Sequence, residues 1–174
     1  MANTDRPHGL RPLMTTLGGG PPVIKEYSKD ASENTAIFIW DIVNMEADGN
    51  IEANSATPGT TRFLGVSLNH GAASTLTKHL VVISPDAIFE AQDNNDTDGI
   101  AAADIGLNAN VELNAGSTTT LVSGHEIDES TADTTNTLDL KLLALHEVPD
   151  NAFGSFARIE VVINKHMLRE GAGV

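Results

Sequence analysis

The chain has 174 residues, a formal charge of −14 and no cysteine. The absence of cysteine excludes a disulfide framework and a thiolate metal site, and the acidity argues against sequence-independent nucleic-acid binding, which needs Lys and Arg in number. Hydrophobic residues make up 40% of the chain and aromatics 4%, so one ordinary domain is expected, its core built mainly from Val, Ile, Leu and Ala.

Residues 1–30, MANTDRPHGLRPLMTTLGGGPPVIKEYSKD, have neither the period of an amphipathic helix nor the alternation of a half-buried strand. Pro7, Pro12, Pro21 and Pro22 remove backbone donors and fix φ, and Gly18-Gly19-Gly20 breaks any regular element. Arg6, Arg11, Lys25 and Lys29 against Asp5, Glu26 and Asp30 make the stretch slightly basic, while the remainder is strongly acidic. An extended N-terminal arm over 1–30 on a β-rich body over 31–174 is the expectation. The start lacks the apolar h-region of a secretory signal, and no apolar run approaches the ~18 residues of a membrane span, so no membrane partner is expected.

Residues 36–45, AIFIWDIVNM, are apolar on both faces, with Ile37, Ile39 and Val43 opposite Phe38, Trp40 and Ile42, and read as a strand covered on two sides. Asp48-Gly49 predicts a tight turn and a short returning strand through Ile51. SATPGTT, 55–61, is a loop by composition. Residues 62–68 are a strand candidate in which Gly65 predicts a bulge or a close backbone approach. Residues 78–83 and the segment DAIFEAQ, 86–92, follow as strands.

A polar loop over 93–106 has room for a helical turn near 100–104, and 111–113 and 119–122 are weak strand candidates. Residues 126–136, acidic and Thr-rich, read as a long exposed loop or edge segment. The clearest pair of strands is 138–145 and 155–164, joined by a turn over 148–154. In the second, Ala157, Ile159, Val161 and Ile163 point one way and Arg158, Glu160 and Asn164 the other. Residues 165–174 read as a short tail. Many short strands with turn signals between them predict an all-β fold, a single β-barrel or β-sandwich domain.

No catalytic constellation is present in the sequence. His8, His70, His79, His125, His146 and His166 are scattered; His125-Glu126 begins like a zincin motif, but position 129 is Glu. There is no GxSxG elbow, and Gly18–Gly20 with Pro21-Pro22 lacks the GK[ST] ending of a phosphate loop. The chain is expected not to be an enzyme and to carry no cofactor or metal. Asn94, Asp96, Asp98 and Gly99 reproduce the start of an EF-hand loop, but Ile105 stands where the bidentate Glu should be, so an exposed Asx-rich turn is expected. The interval between Lys78 and Lys141 holds twelve carboxylates and no Lys or Arg, which reads as a solvated acidic face.

The opening MANTDRPHGLRP resembles the MANxxxPxGLRP start of small tailed-phage virion proteins, particularly capsid decoration (cement) proteins. The similar order continues through Gly18–Gly20, Tyr27, Ile39-Trp40-Asp41-Ile42-Val43, the Asp48-Gly49 turn, Gly65-Val66, VVISPDAIFEAQ (81–92), PDNAFG (149–154) and VVINKH (161–166). It departs at Trp40, where Gly is usual before the Asp.

The resemblance implies a homotrimeric structural protein on the outer surface of a phage head, made in the host cytoplasm. Its partner would be the major capsid protein, bound through the N-terminal arms, and no nucleic acid would be bound. Arg6, Pro7, Leu10, Arg11, Pro12 and Leu13 are the expected capsid-binding residues of the arm, and residues 1–29 are expected to be removable without unfolding the body. The alternatives are another virion component (tail, neck or head fibre) and a carbohydrate-binding β-sandwich module. The latter is poorly equipped, with Trp40 inside an apolar run and Tyr27 the only tyrosine.

Overall fold

The computed structural model describes residues 3–53 and 62–169; the loop expected at 55–61 lies outside the described residues. Its strands, in chain order, are β1 (Arg11–Thr15), β2 (Ile24–Lys29), β3 (Ile42–Met45), β4 (Ile51–Ala53), β5 (Gly65–Ser67) and β6 (Thr77–Val82). They continue with β7 (Ala87–Gln92), β8 (Asn108–Glu112), β9 (Glu126–Asp133), β10 (Leu140–Leu145) and β11 (Arg158–Ile163). Among the described residues a single 3₁₀ turn, Ala102–Asp104, falls where a helical turn is expected. Two antiparallel sheets result, a six-stranded one in the order β1-β7-β11-β10-β8-β9 and a five-stranded one in the order β2-β6-β5-β3-β4. Among the described residues no helix is long and apolar enough to cross a membrane.

The sheets pack face to face as a β-sandwich. Phe89, Ala91, Leu140, Leu142, Ile159, Val161 and Ile163 of the first sheet meet Ile42, Val66 and Val82 of the second in one core. The expected alternation of 155–164 holds: Ala157, Ile159, Val161 and Ile163 are buried there. The opposite face of the second sheet is also covered. Val43, Ile51, Ala53 and Val81 join Ile37 and Leu64 in a smaller core, closed over by Tyr27, Met45, Ile83 and Met167. Two-sided burial explains the double apolar face of residues 36–45, although only Ile42–Met45 is strand. A turn at 38–41 interrupts the rest, with Asp41 N–H donating to Phe38 O at 3.1 Å. The Asp48-Gly49 hairpin joins β3 to β4 as expected. Gly65 is also a close approach: a Cβ there would strike the Val82 carbonyl.

The expected separate arm is corrected by the fold. β1 pairs antiparallel with β7 in the first sheet, and β2 pairs with β6 in the second. Leu10 is fully buried in the main core. The stretch therefore belongs to both layers, with Gly18 and Gly19 at positive φ in the connection between them. Its strands escape a reading by period for physical reasons. Pro12 lies in an edge strand, where a missing donor costs little. In β2 the polarity is inverted, since Lys29 is fully buried while Ile24 is 49% exposed. The Lys29 ammonium makes this possible by donating to the carbonyls of Glu33 (3.2 Å), Ala72 (3.1 Å), Thr75 (3.4 Å) and Asp30 (3.5 Å).

Three further expectations are changed or narrowed. Residues 119–122 form a turn rather than a strand, with a single bridge from Val122 to Ile39. Residues 126–133 are an edge strand, the second of the two readings of that segment, and not an exposed loop, since Glu126 and Glu129 occupy buried positions. The start of the tail is integrated, as Phe63 N–H donates to Lys165 O at 3.0 Å and Met167 N–H to Phe63 O at 2.9 Å.

Deleting residues 1–29 removes an edge strand from each sheet and Leu10 from the core. The truncated chain is expected to lose cooperative unfolding; a sharp thermal transition like that of the full chain would show that the remainder folds alone.

Candidate functional site

Along β7, Ala87, Phe89 and Ala91 face the core, which turns Glu90 and Gln92 to the outer face of the first sheet. Glu90 is nevertheless fully buried. Its cross-strand partner on β1 is Arg11, whose guanidinium donates to Glu90 Oε2. From β11, Arg158 Nη1 lies 3.4 Å from Glu90 Oε1. His8 Nε2 stands 3.8 Å from Oε1, and His146 Nε2 3.7 Å from Oε2. The other nitrogen of His146 is 3.0 Å from Glu160 Oε1. Both oxygens of the carboxylate are thus engaged by cations, the condition under which a buried charge is tolerated. Burial holds the His8 imidazole below its usual pKa of 6.5, against the Arg6 backbone contact and the Glu90 charge, which favour protonation.

Above this cluster opens a cleft of about 510 Å³, lined among others by Arg6, His8, Arg11, Trp40, Glu90 and Arg158. Its walls are set by backbone geometry. Gly9, at φ 72°, lies so close to Ser123 and to the Trp40 carbonyl that no side chain fits. Gly9 N–H donates to His125 O at 3.2 Å and Leu10 N–H to Trp40 O at 3.0 Å. Leu10 then enters the core, leaving His8 and Arg11 on the cleft side. Trp40 itself is at φ 70°, and its ring meets His8 edge-on, centroids 6.1 Å apart. Gln92 pins the segment before the motif: its Nε2 donates to Thr4 O at 2.9 Å and its Oε1 accepts from Arg6 N–H at 2.7 Å. Asn3 closes the far side by donating to Ala152 O at 2.7 Å and Ser155 O at 2.9 Å.

Of the six residues expected in a binding arm, the structure brings Arg6 and Arg11 to this cleft. Pro7 is exposed beside it, Pro12 and Leu13 are half-buried in β1, and Leu10 is core. Leu10 is thus unavailable as a contact residue: a fully buried side chain has no surface to offer. Glu90, His8, His146, Trp40 and Arg158 are not among the site residues expected from the sequence. The one available signal was Glu90 itself, the only charge inside the strand AIFEAQ. Its partners lie far away in sequence, on β1, β11 and the turn after β10.

Acidic groups cluster elsewhere. The oxygens of Asp30, Glu46 and Asp48 lie within 4.8 Å of one another, and so do those of Glu33, Glu46 and Glu52. Burial and then mutual repulsion raise the pKa of Glu46 and Glu52 above 4.5. In the EF-hand-like loop, Asp96 N–H donates to Asn94 Oδ1 at 3.3 Å, an Asx turn as expected. The Glu129 carboxylate, from β9, accepts from the Thr97 hydroxyl at 2.7 Å and from Gly99 N–H at 3.4 Å. Behind that loop, burial raises Asp93 from 3.8 to about 6 and Glu126 from 4.5 to about 7. Burial lowers His79 and His166 from 6.5 to about 4.

Compared with known protein families, curated proteins and solved structures, the chain matches none.

Two predictions follow from the buried charges. Arg11→Met strands part of the Glu90 charge and is expected to cost about 3 kcal/mol in denaturant unfolding. Adding Glu90→Gln to the same chain returns some of that loss, and a purely additive double variant would contradict the coupling. The second concerns pH. Asp93 and Glu126 bind protons more tightly folded than unfolded, so their contribution is present below their usual values, 3.8 and 4.5, and lost as pH rises through about 6 and 7. His79 and His166 act oppositely, contributing above 6.5 and losing this as pH falls towards about 4. Glu126→Gln keeps an acceptor for Asn114 (3.1 Å in the native chain) and is expected to stabilise the fold above pH 7 but not below pH 4.5. Equal effects at both pH values would contradict a raised Glu126 pKa.

Proposed function

We propose that this chain is a non-enzymatic structural virion protein, a capsid decoration protein that binds the outer surface of a phage head. The observation that carries the reading is the backbone at Trp40. Gly is usual there in the resembling proteins, and this chain holds the position at φ 70°, a conformation that favours Gly and costs other residues about 1–2 kcal/mol. A positive φ at Trp40 is the backbone a Gly at that position would favour, which supports the resemblance at the point where the residue departs from it.

Spatial convergence supports it. The opening motif contributes Arg6, His8 and Arg11 to the cleft; VVISPDAIFEAQ contributes Glu90 and Gln92; PDNAFG contributes Pro149 and Asp150. Stretches dispersed along the chain thus meet at one place. Both Glu90 oxygens at the floor of this cleft are already taken up by Arg11 and Arg158.

The N-terminal stretch remains the proposed head-binding element, but as a preformed surface rather than a free arm. Beside the cleft-forming strand lie Met14, Leu17, Val23 and Ile24, exposed at 43%, 83%, 61% and 49%. Leu80, 48% exposed, is diagonal to Ile24 across the β2–β6 pair. Large apolar side chains left exposed on one stretch of chain offer a contact surface. The proposed partner is the major capsid protein, and the proposed assembly is a homotrimer.

Leu17→Asp combined with Val23→Asp is expected to leave the melting temperature nearly unchanged and to reduce co-sedimentation with purified phage heads at least tenfold. Unaltered sedimentation would remove this face from the interface. Copy number per particle separates a head protein, present in proportion to the shell subunit, from a tail, neck or fibre component restricted to a single ring or vertex.

A further inference from the structure

The cleft over Glu90 has an unfilled electrostatic capacity. Its lining brings together Arg6, Arg11 and Arg158, three of the five arginines of a chain with net charge −14. Arg11 and Arg158 spend part of their donor sets on Glu90, and Arg158 Nη2 also reaches Pro149 O at 3.5 Å. A guanidinium carries five N–H donors, so both retain others. Arg6 is different: its backbone N–H is bound by Gln92, while its guanidinium has no acceptor among the described residues. His8 Nε2, inside the same lining, is buried without a hydrogen-bond partner.

The charges also indicate the valence of the missing group. Three guanidinium groups face two carboxylates, Glu90 and Asp150, in the lining, which leaves a surplus of one positive charge with the imidazole neutral. A monoanion neutralises that surplus, whereas a dianion such as a phosphate monoester leaves a new negative charge near Asp150. The planar fork of a guanidinium matches a carboxylate. Trp40, Pro149 and Phe156 supply apolar wall in the same cleft for a carbon stem.

We infer that this cleft is a binding site for an organic monocarboxylate, held by Arg6 with the outer donors of Arg11 and Arg158. The donors are preorganised, because Glu90 fixes two of the three guanidinium groups before any ligand arrives. The carboxylate has two sources, an acidic side chain of a protein or a free small acid. Binding by the isolated chain is independent of whether that chain binds a phage head.

The test uses the full chain and the indole N–H resonance of Trp40, its only tryptophan. The probes are the blocked peptide acetyl-Ala-Glu-Ala-amide, its glutamine counterpart, propionate and inorganic phosphate. A saturable shift of the Trp40 resonance with the glutamate peptide, absent with the glutamine peptide and weaker with phosphate, is expected. Propionate binding as tightly as the peptide assigns the site to a free acid; weaker propionate binding assigns it to an acidic side chain. Arg6→Gln leaves the Glu90 cluster intact and is expected to weaken binding about tenfold, the effect of one lost charge-assisted hydrogen bond. No saturable shift with either carboxylate probe, phosphate binding the tightest, or undiminished binding by Arg6→Gln would each overturn the inference.

Discussion

The first sheet depends on a carboxylate in a place where water cannot reach it. Glu90 sits on the outer face of β7, yet it is fully buried. An uncompensated charge there costs several kcal/mol, more than any single hydrophobic contact returns. Compensation comes from Arg11 on one neighbouring strand and Arg158 on the other, with the His8 and His146 rings lying beside the same carboxylate. The strand order β1-β7-β11 is thereby tied to a charge requirement as well as to backbone pairing. If β1 left the sheet, Glu90 would lose its closest cation.

The second sheet meets the same problem with the opposite sign. Lys29, at the end of β2, is fully buried and donates to backbone carbonyls rather than to a carboxylate. The ammonium therefore joins two loops, around Glu33 and around Ala72–Thr75, that flank the smaller core. Residues 1–30 are thus fastened at two points, once through Arg11 and once through Lys29, in different sheets. A surface held in this way loses little conformational freedom on binding. That favours a preformed contact face over an arm that orders only on its partner, and it brings the proposed contact residues and the cleft onto the same piece of chain.

Much of the architecture was legible in the residue order. The alternation of 155–164, the double apolar face of 36–45 over its strand part Ile42–Met45, the Asp48-Gly49 turn and the close approach at Gly65 all come from local patterns and hold in the fold. Apart from β1, whose Pro12 hides an edge strand, the elements that were not legible share one property: buried positions that are polar. In β2 the inward residues are Tyr27 and Lys29, in β9 they include Glu126 and Glu129, and after β11 Lys165 and His166 are buried. A hydrophobic period cannot reveal a strand whose inner face is charged.

The sequence by itself determined that the chain is all-β with an aliphatic core, because side-chain period, turn dipeptides and composition are local properties written residue by residue. It also carried the resemblance that motivates the proposed function. Only the tertiary structure decided that residues 1–30 are built into both sheets and that Glu90, Arg11, Arg158 and His8 form one site. The physical reason is that charge compensation acts through space. Arg11 and Glu90 are 79 positions apart, Glu90 and Arg158 another 68, and nothing in the period of any one segment records that a buried charge on one strand will be matched by a distant residue on the next.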